Sequence, residues 1–282
     1  MIATTLRQLV RIAAPLVLLA WPLCAARADD ASAWDGDARA AMRLIAGSPR
    51  GNATLRAGIE IRLAPGWKTY WRYPGDSGVP PRFDFSASQN VKSVSIAWPA
   101  PQRFTDEAGV AIGYKGGVIF PLTVVPQDPG KPVVLRVKLD YAVCEKLCVP
   151  AQGRGELVLD GRRSELDGAL DAAEAAVPKR ATLGANAPLA VRAVRREAGG
   201  AHPRIVVDVA APQAAPLDLF VEGPTPDWAL PVPQPTQGAP AGLHRFVFVL
   251  DGVPPGVKPD GALLTFTLVS GTGAVEVATH LD

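Results

Sequence analysis

The stretch Val133–Asp160, VVLRVKLDYAVCEKLCVPAQGRGELVLD, carries two cysteines between two runs that read as β-strands. LRVKLDYAV enters the pair and GRGELVLD leaves it, both with apolar residues interleaved among polar ones. Along a continuous strand, residues four apart lie roughly 13 Å from each other. A disulfide needs Cα atoms within about 7 Å. Cys144 and Cys148 can therefore join only if Glu145, Lys146 and Leu147 turn the chain. Such a bend would carry the thiols at a strand end, near the surface.

The same rhythm extends outward. TLRAGIEIRLAPGWKTYWRY alternates apolar and polar residues and turns at Pro65-Gly66. PGDSGVPPRFDF is a turn-dense connector. VKSVSIAWP and GGVIFPLTVVP read as further strands, and residues 29–46 as a short helical or extended lead-in. Strand-length runs punctuated by Pro and Gly predict an antiparallel β-sandwich. Residues 164–177 break the pattern: Ala and Leu spacing, Ser164 as N-cap and Pro178 as a stop predict a short helix. LAVRAVRRE, PRIVVDVAAP, LDLFVEGP, GLHRFVFVLDGVP and GALLTFTLVSG then form a second strand set. The expected organisation is all-β: a sandwich over 29–162 with the cysteine pair, a helical linker over 163–180, and a second β-sandwich over 181–282.

Residues 1–28 stand apart from the fold. Arg7 and Arg11 precede a short apolar stretch, and ARA at 26–28 offers small residues for signal peptidase. The expectation is a secretory signal cleaved after Ala28; lipidation at Cys24 fits less well, because Leu23 is bulky where such signals want a small residue. Cleavage removes three arginines and no acids, so Lys+Arg falls from 29 to 26 against 27 Asp+Glu, leaving the mature chain near −1. That excludes a global basic field for nucleic acid or anionic lipid. No later run of about 20 apolar residues exists, so no transmembrane segment is expected in the mature chain. Export leaves two cysteines in a compartment where disulfides persist.

Three chemistries fit the pair. As a structural staple it would add only about 2 kcal/mol, because so short a loop removes little chain entropy. As a metal site it is half a zinc set, or a Cu(I) site of soft ligands. However, His202, His244 and His280 all lie in the second strand set. The same absence of a nearby base disfavours Cys-His hydrolysis. Thiol–disulfide exchange needs one accessible thiolate and a second thiol to resolve the mixed disulfide, and a bend of this kind supplies both.

The segments GWKTYWRYPGDSGVPPRFDF, IAWPAPQRF, GYKGGVIFPLTVVP and DYAVCEKLCVP, in this order, resemble the N-terminal periplasmic domain of the DsbD and ScsB-type thiol:disulfide interchange proteins. The resemblance covers roughly residues 40–160. It implies an immunoglobulin-like sandwich with no cofactor and no bound metal. It also implies a pair that accepts electrons from a membrane thiol-reductant donor and passes them to a periplasmic thioredoxin-like acceptor. Cys148 would attack and Cys144 would resolve. Cytochrome c biogenesis and copper tolerance are the processes that the resemblance brings with it. The family shields its cysteines with an aromatic-bearing cap loop. The matching stretch is FTDEAGVAIGYKGG, Phe104–Gly117, with Tyr114 as candidate lid aromatic, Phe104 beside it, and Asp106 and Glu107 as acids that could tune the thiols. Its four glycines would permit motion. The chain ends at Asp282 without the family's membrane and thioredoxin-like domains, so a stand-alone exported protein fed by a separate membrane donor is expected. The second sandwich is expected to orient partners or help dock to that donor.

Overall fold

The computed structural model describes residues 29–51, 54–75, 78–106, 109–198, 202–212 and 216–282. The expected signal segment, 1–28, lies outside the described residues. Among the described residues, eleven strands form the first sandwich: β1 (Asp35–Gly36), β2 (Ala40–Gly47), β3 (Leu55–Leu63), β4 (Lys68–Gly75), β5 (Arg82–Asp84), β6 (Val91–Ile96), β7 (Gln102–Asp106), β8 (Gly109–Lys115), β9 (Gly117–Pro126), β10 (Val133–Cys144) and β11 (Cys148–Leu159). One sheet runs β1-β2-β3-β9-β6. The other runs β11-β10-β4-β8-β7, with β5 also on β10.

The lead-in at 29–46 is extended, not helical, and β2 is buried along most of its length. In β10 alternate residues are buried from Val133 to Asp140, and then both faces are buried from Tyr141 to Cys144. The change coincides with β4, which pairs with β10 only at Val143↔Thr69 and Cys144↔Lys68. Between the sheets lie Met42, Leu44, Ile59, Ile61, Trp71, Phe120, Leu135 and Leu139, all fully buried.

Helix α1 (Asp167–Ala175) follows β11. Ser164 is not its N-cap: that position is Leu166, with no side-chain cap. The Ser164 hydroxyl instead donates to Ala46 O and accepts from Leu166 N–H, turning the chain before the helix. Leu170 is fully buried over β2 and β3, where Gly47 and Gly58 leave room; a Cβ on either would stand 2.6 or 2.8 Å from the leucine. Arg56 ties the helix down through Asp167, Asp171 and Glu174.

The second sandwich contains β12 (Lys179–Arg180), β13 (Ala190–Glu197), β14 (Arg204–Ala210), β15 (Leu217–Glu222), β16 (Gln234–Thr236), β17 (His244–Val249), β18 (Leu263–Ser270) and β19 (Gly273–His280). Its sheets run β12-β19-β18-β15 and β13-β14-β17-β16. Every pairing is antiparallel except the two-residue contact of β12 with β19. The chain is thus all-β, with two immunoglobulin-like sandwiches and one short helix between them in sequence.

Asp208, on β14, is buried between Arg245 and Arg195. The Arg245 hydrogen bond, helped by Arg195 and opposed by burial, holds its carboxyl below the ordinary 3.8. The folded state therefore binds this proton less tightly than the unfolded chain. Its contribution is complete above pH 3.8 and is lost as pH falls through the lowered value. Asp208→Asn is expected to cost about 2 kcal/mol at pH 7, discounted because both arginines are partly exposed. It should also flatten the acid limb of the stability curve, measured by urea unfolding across pH.

Candidate redox site at the β10–β11 tip

β10 and β11 form a hairpin twelve residues long on each side, in register from Val133↔Leu159 to Cys144↔Cys148. Glu145, Lys146 and Leu147 make the turn. The cysteines face each other directly across the last rung, with Cα atoms 4.2 Å apart, and are joined as a disulfide. That spacing belongs to the closely approached pairs of an antiparallel ladder.

The two sulfurs occupy different environments. Cys144 is 2% exposed. Cys148 is exposed, as is the turn, whose Leu147 is 79% exposed. A visiting group can therefore reach Cys148 from outside, while Cys144 lies behind it.

Tyr70 forms the wall behind the sulfurs. Its hydroxyl lies 2.7 Å from Cys144 Sγ and 3.1 Å from Cys148 Sγ. Tyr70, Ala111, Ala142 and Cys144 make a small apolar cluster, with half-buried Phe104 packed against it. Lys115 Nζ stands 4.6 Å and Lys68 Nζ 5.9 Å from the centre of the Phe104 ring. Thr69 Oγ1 donates to Ala142 O at 2.9 Å and fastens β4 to the end of β10.

Of the two aromatics in the expected cap, Phe104 lies on the cysteine side. Tyr114 does not. The alternation of β8 puts Ala111 in the cysteine cluster and sends Ile112 and Tyr114 into the main core. There the Tyr114 ring stands edge-on to Phe120, and its hydroxyl donates to Pro99 O. Burial pushes its ionisation well above 10. Tyr114 is therefore core packing, and the lid assignment for it is corrected. The stretch 104–117 is also mostly a β-hairpin of β7 and β8 rather than a loop. The Asp106 carboxylate and Glu107 lie outside the described part of the structure. Lys146, within the turn, is exposed.

Tyr70 was not singled out for chemistry from the sequence. Tyr70 and Trp71 are adjacent on one strand, so the two-residue period sends their side chains to opposite faces, Tyr70 to the cysteine cluster and Trp71 to the main core. No local signal linked Tyr70 to cysteines more than 70 residues away.

Residues 39–160 match the family model described as "Thiol:disulfide interchange protein DsbD, N-terminal". This segment belongs to the DsbD N-terminal domain family. The chain is also similar in fold to the N-terminal periplasmic domain of ScsB from Proteus mirabilis, with a TM-score of 0.68 at 20% identity, covering 90% of this chain and 99% of that one. No curated protein sequence matches the chain. The DsbD-type segment contains both cysteines, Tyr70 and Phe104. The ScsB likeness runs on well beyond that segment, so it takes in much of the second sandwich.

A hydrogen bond to a charged sulfur contributes about 1.5–3 kcal/mol. Tyr70→Phe should therefore slow reaction of the reduced pair with iodoacetamide at pH 7 by roughly tenfold or more, followed by mass spectrometry. An unchanged rate would show that the hydroxyl does not stabilise the attacking sulfur.

Proposed function

We propose that the protein is an exported thiol–disulfide interchange module that reduces thioredoxin-like partners through a reversible Cys144–Cys148 disulfide. The observation that carries this reading is the asymmetry of the pair. One sulfur is exposed at a hairpin tip and its partner is buried directly across the ladder. A staple has no need of such asymmetry, and closing so short a loop stabilises little.

In the reduced protein the exposed Cys148 thiolate attacks one sulfur of the acceptor disulfide. The acceptor S–S bond breaks, a mixed disulfide forms, and the acceptor's other sulfur leaves as a thiolate and takes up a proton. Cys144, after losing its proton, attacks Cys148 Sγ, restores the internal disulfide and expels the acceptor's second thiolate. Two electrons pass to the acceptor, and a membrane-embedded thiol donor returns them by the reverse exchange. Tyr70 lies within reach of both sulfurs and can donate its hydroxyl proton to whichever carries negative charge. Phe104, packed on the buried side of the pair, limits access to Cys144.

A periplasmic setting is supported by the apolar N-terminal stretch of the sequence and by the description of the ScsB relative as a periplasmic domain. Among the described residues, no helix is long and apolar enough to cross a membrane.

The cysteine variants separate the two roles. Cys144→Ser should accumulate a mixed disulfide with a thioredoxin-like acceptor on non-reducing gels. Cys148→Ser should form none and abolish electron transfer. If Cys148→Ser retains exchange, the roles are reversed. A pair that resists reduction below about −300 mV would be a structural bridge.

A further inference from the structure

The sheet's hold on β4 lapses just past Tyr70, and β7, which carries Phe104, is an edge strand. The ladder between β4 and β8 runs through Tyr70↔Gly113, then shifts register and resumes only at Gly75↔Ala111. Residues 71–74 fall in that gap. Among the described residues β7, which carries Phe104, is the last strand of its sheet and pairs only with β8. An edge strand and an interrupted ladder are weak supports for side chains whose position beside a reacting sulfur must be held to a fraction of an ångström.

The second sandwich grips these two places. The Trp71 ring packs 5.9 Å from that of Phe220, which is fully buried and belongs to the core of the first sandwich. The Arg72 guanidinium makes a forked pair with Glu222, with Nε and Nη2 at 2.8 and 2.7 Å, and also bonds Glu276. The Tyr73 hydroxyl donates to Leu230 O. On β7, Arg103 is the immediate neighbour of Phe104. Its Nη2 donates to Pro233 O at 2.9 Å, and its Nε lies 2.8 Å from Asp218 Oδ1. Tyr70 and Phe104 thus each have a chain neighbour anchored in the second sandwich.

We infer that the second sandwich is a brace for the redox site: through Phe220, Glu222, Glu276 and Asp218 it holds Trp71, Arg72 and Arg103, and so positions Tyr70 and Phe104 against the Cys144–Cys148 pair. This deepens the interchange reading and rests on it. Phe220, Glu222, Glu276, Asp218, Trp71, Arg72 and Arg103 are positioning residues, acting on the sulfurs through Tyr70 and Phe104. Packed side chains and ion pairs of this kind pass small displacements between sites.

The test uses the full chain and reduced glutathione as the probe. Glu222→Gln/Glu276→Gln removes the carboxylates that face Arg72, and Phe220→Leu removes the ring beneath Trp71. Asp208→Asn weakens the second sandwich in the sheet that does not carry Phe220, Glu222 or Glu276, and serves as the control. Each variant is checked for native circular dichroism, then equilibrated with glutathione buffers for the reduction potential of the pair and mixed with reduced glutathione for its rate of reduction. Both interface variants should reduce faster by about threefold or more and shift the potential, while the control keeps wild-type values. Interface variants that fold and keep the wild-type rate and potential would overturn the brace. So would a control that shifts as far as they do. Glu222→Gln alone is read in the same way if the double variant does not fold. Because the probe is a small thiol, a wild-type protein inert toward thioredoxin-like acceptors would overturn the function proposed above and leave this comparison decisive.

Discussion

Strand β4 is buried on both faces along its first half, and its two-residue period divides the work between them. Tyr70 faces the sulfurs, while Trp71 faces the core and the ring of Phe220. A shift of one residue in its register would exchange these two aromatics. The phenol would then lie in the apolar core, and the sulfurs would lose their hydroxyl partner. The Tyr70↔Gly113 rung and the Thr69 hydrogen bond to Ala142 O hold the register where the chemistry needs it. Close strand approach is part of that hold. A Cβ on Gly113 would lie 1.9 Å from Thr69 O, so only glycine fits.

The hairpin of β10 and β11 meets this strand at its tip. The full ladder from Val133 to Cys144 makes the hairpin a stiff arm whose tip brings Cys148 to solvent. Rigidity fixes where the disulfide sits. The short turn leaves Cys148 open, while the cover from β4 buries Cys144. One supersecondary unit thus produces the asymmetry that exchange chemistry requires, without a bound cofactor in the proposed steps.

The contact between the two sandwiches is mixed in character. Phe220 and Val232 lie in the core of the first sandwich as though they belonged to it. Around them, Arg72 meets Glu222 and Glu276, and Arg103 meets Asp218. Burial opposes the charge on Arg72, but the Glu222 and Glu276 carboxylates outweigh it and hold the guanidinium above its ordinary value. Burial raises the Asp218 carboxyl, against the pull of Arg103. Such partly buried pairs contribute more to orientation than to stability. An interface built to fix one strand against another makes use of orientation.

Much of the architecture is written in local pattern. The period-two runs, the Pro65-Gly66 turn, the break at 164–177 and the cysteine bend each depend on neighbours a few residues apart, and a sequence displays such relations directly. The alternation of Tyr70 and Trp71 is of the same kind. The sequence misassigned Tyr114 because an aromatic in a glycine-bearing stretch looks the same whether its strand turns it outward or inward. The parity of β8 decides that, and parity is set by pairing with β4 and β7. The Tyr70 contact with the sulfurs, the Leu170 anchor over Gly47 and Gly58, and the grip of Phe220 on Trp71 all join residues more than 70 positions apart. Alternation, turns and the cysteine spacing were therefore determined by the chain alone, because they are set by covalent geometry over a few residues. The wall behind the sulfurs and the brace behind that wall were decided by tertiary structure, because only strand order and register bring those distant side chains together.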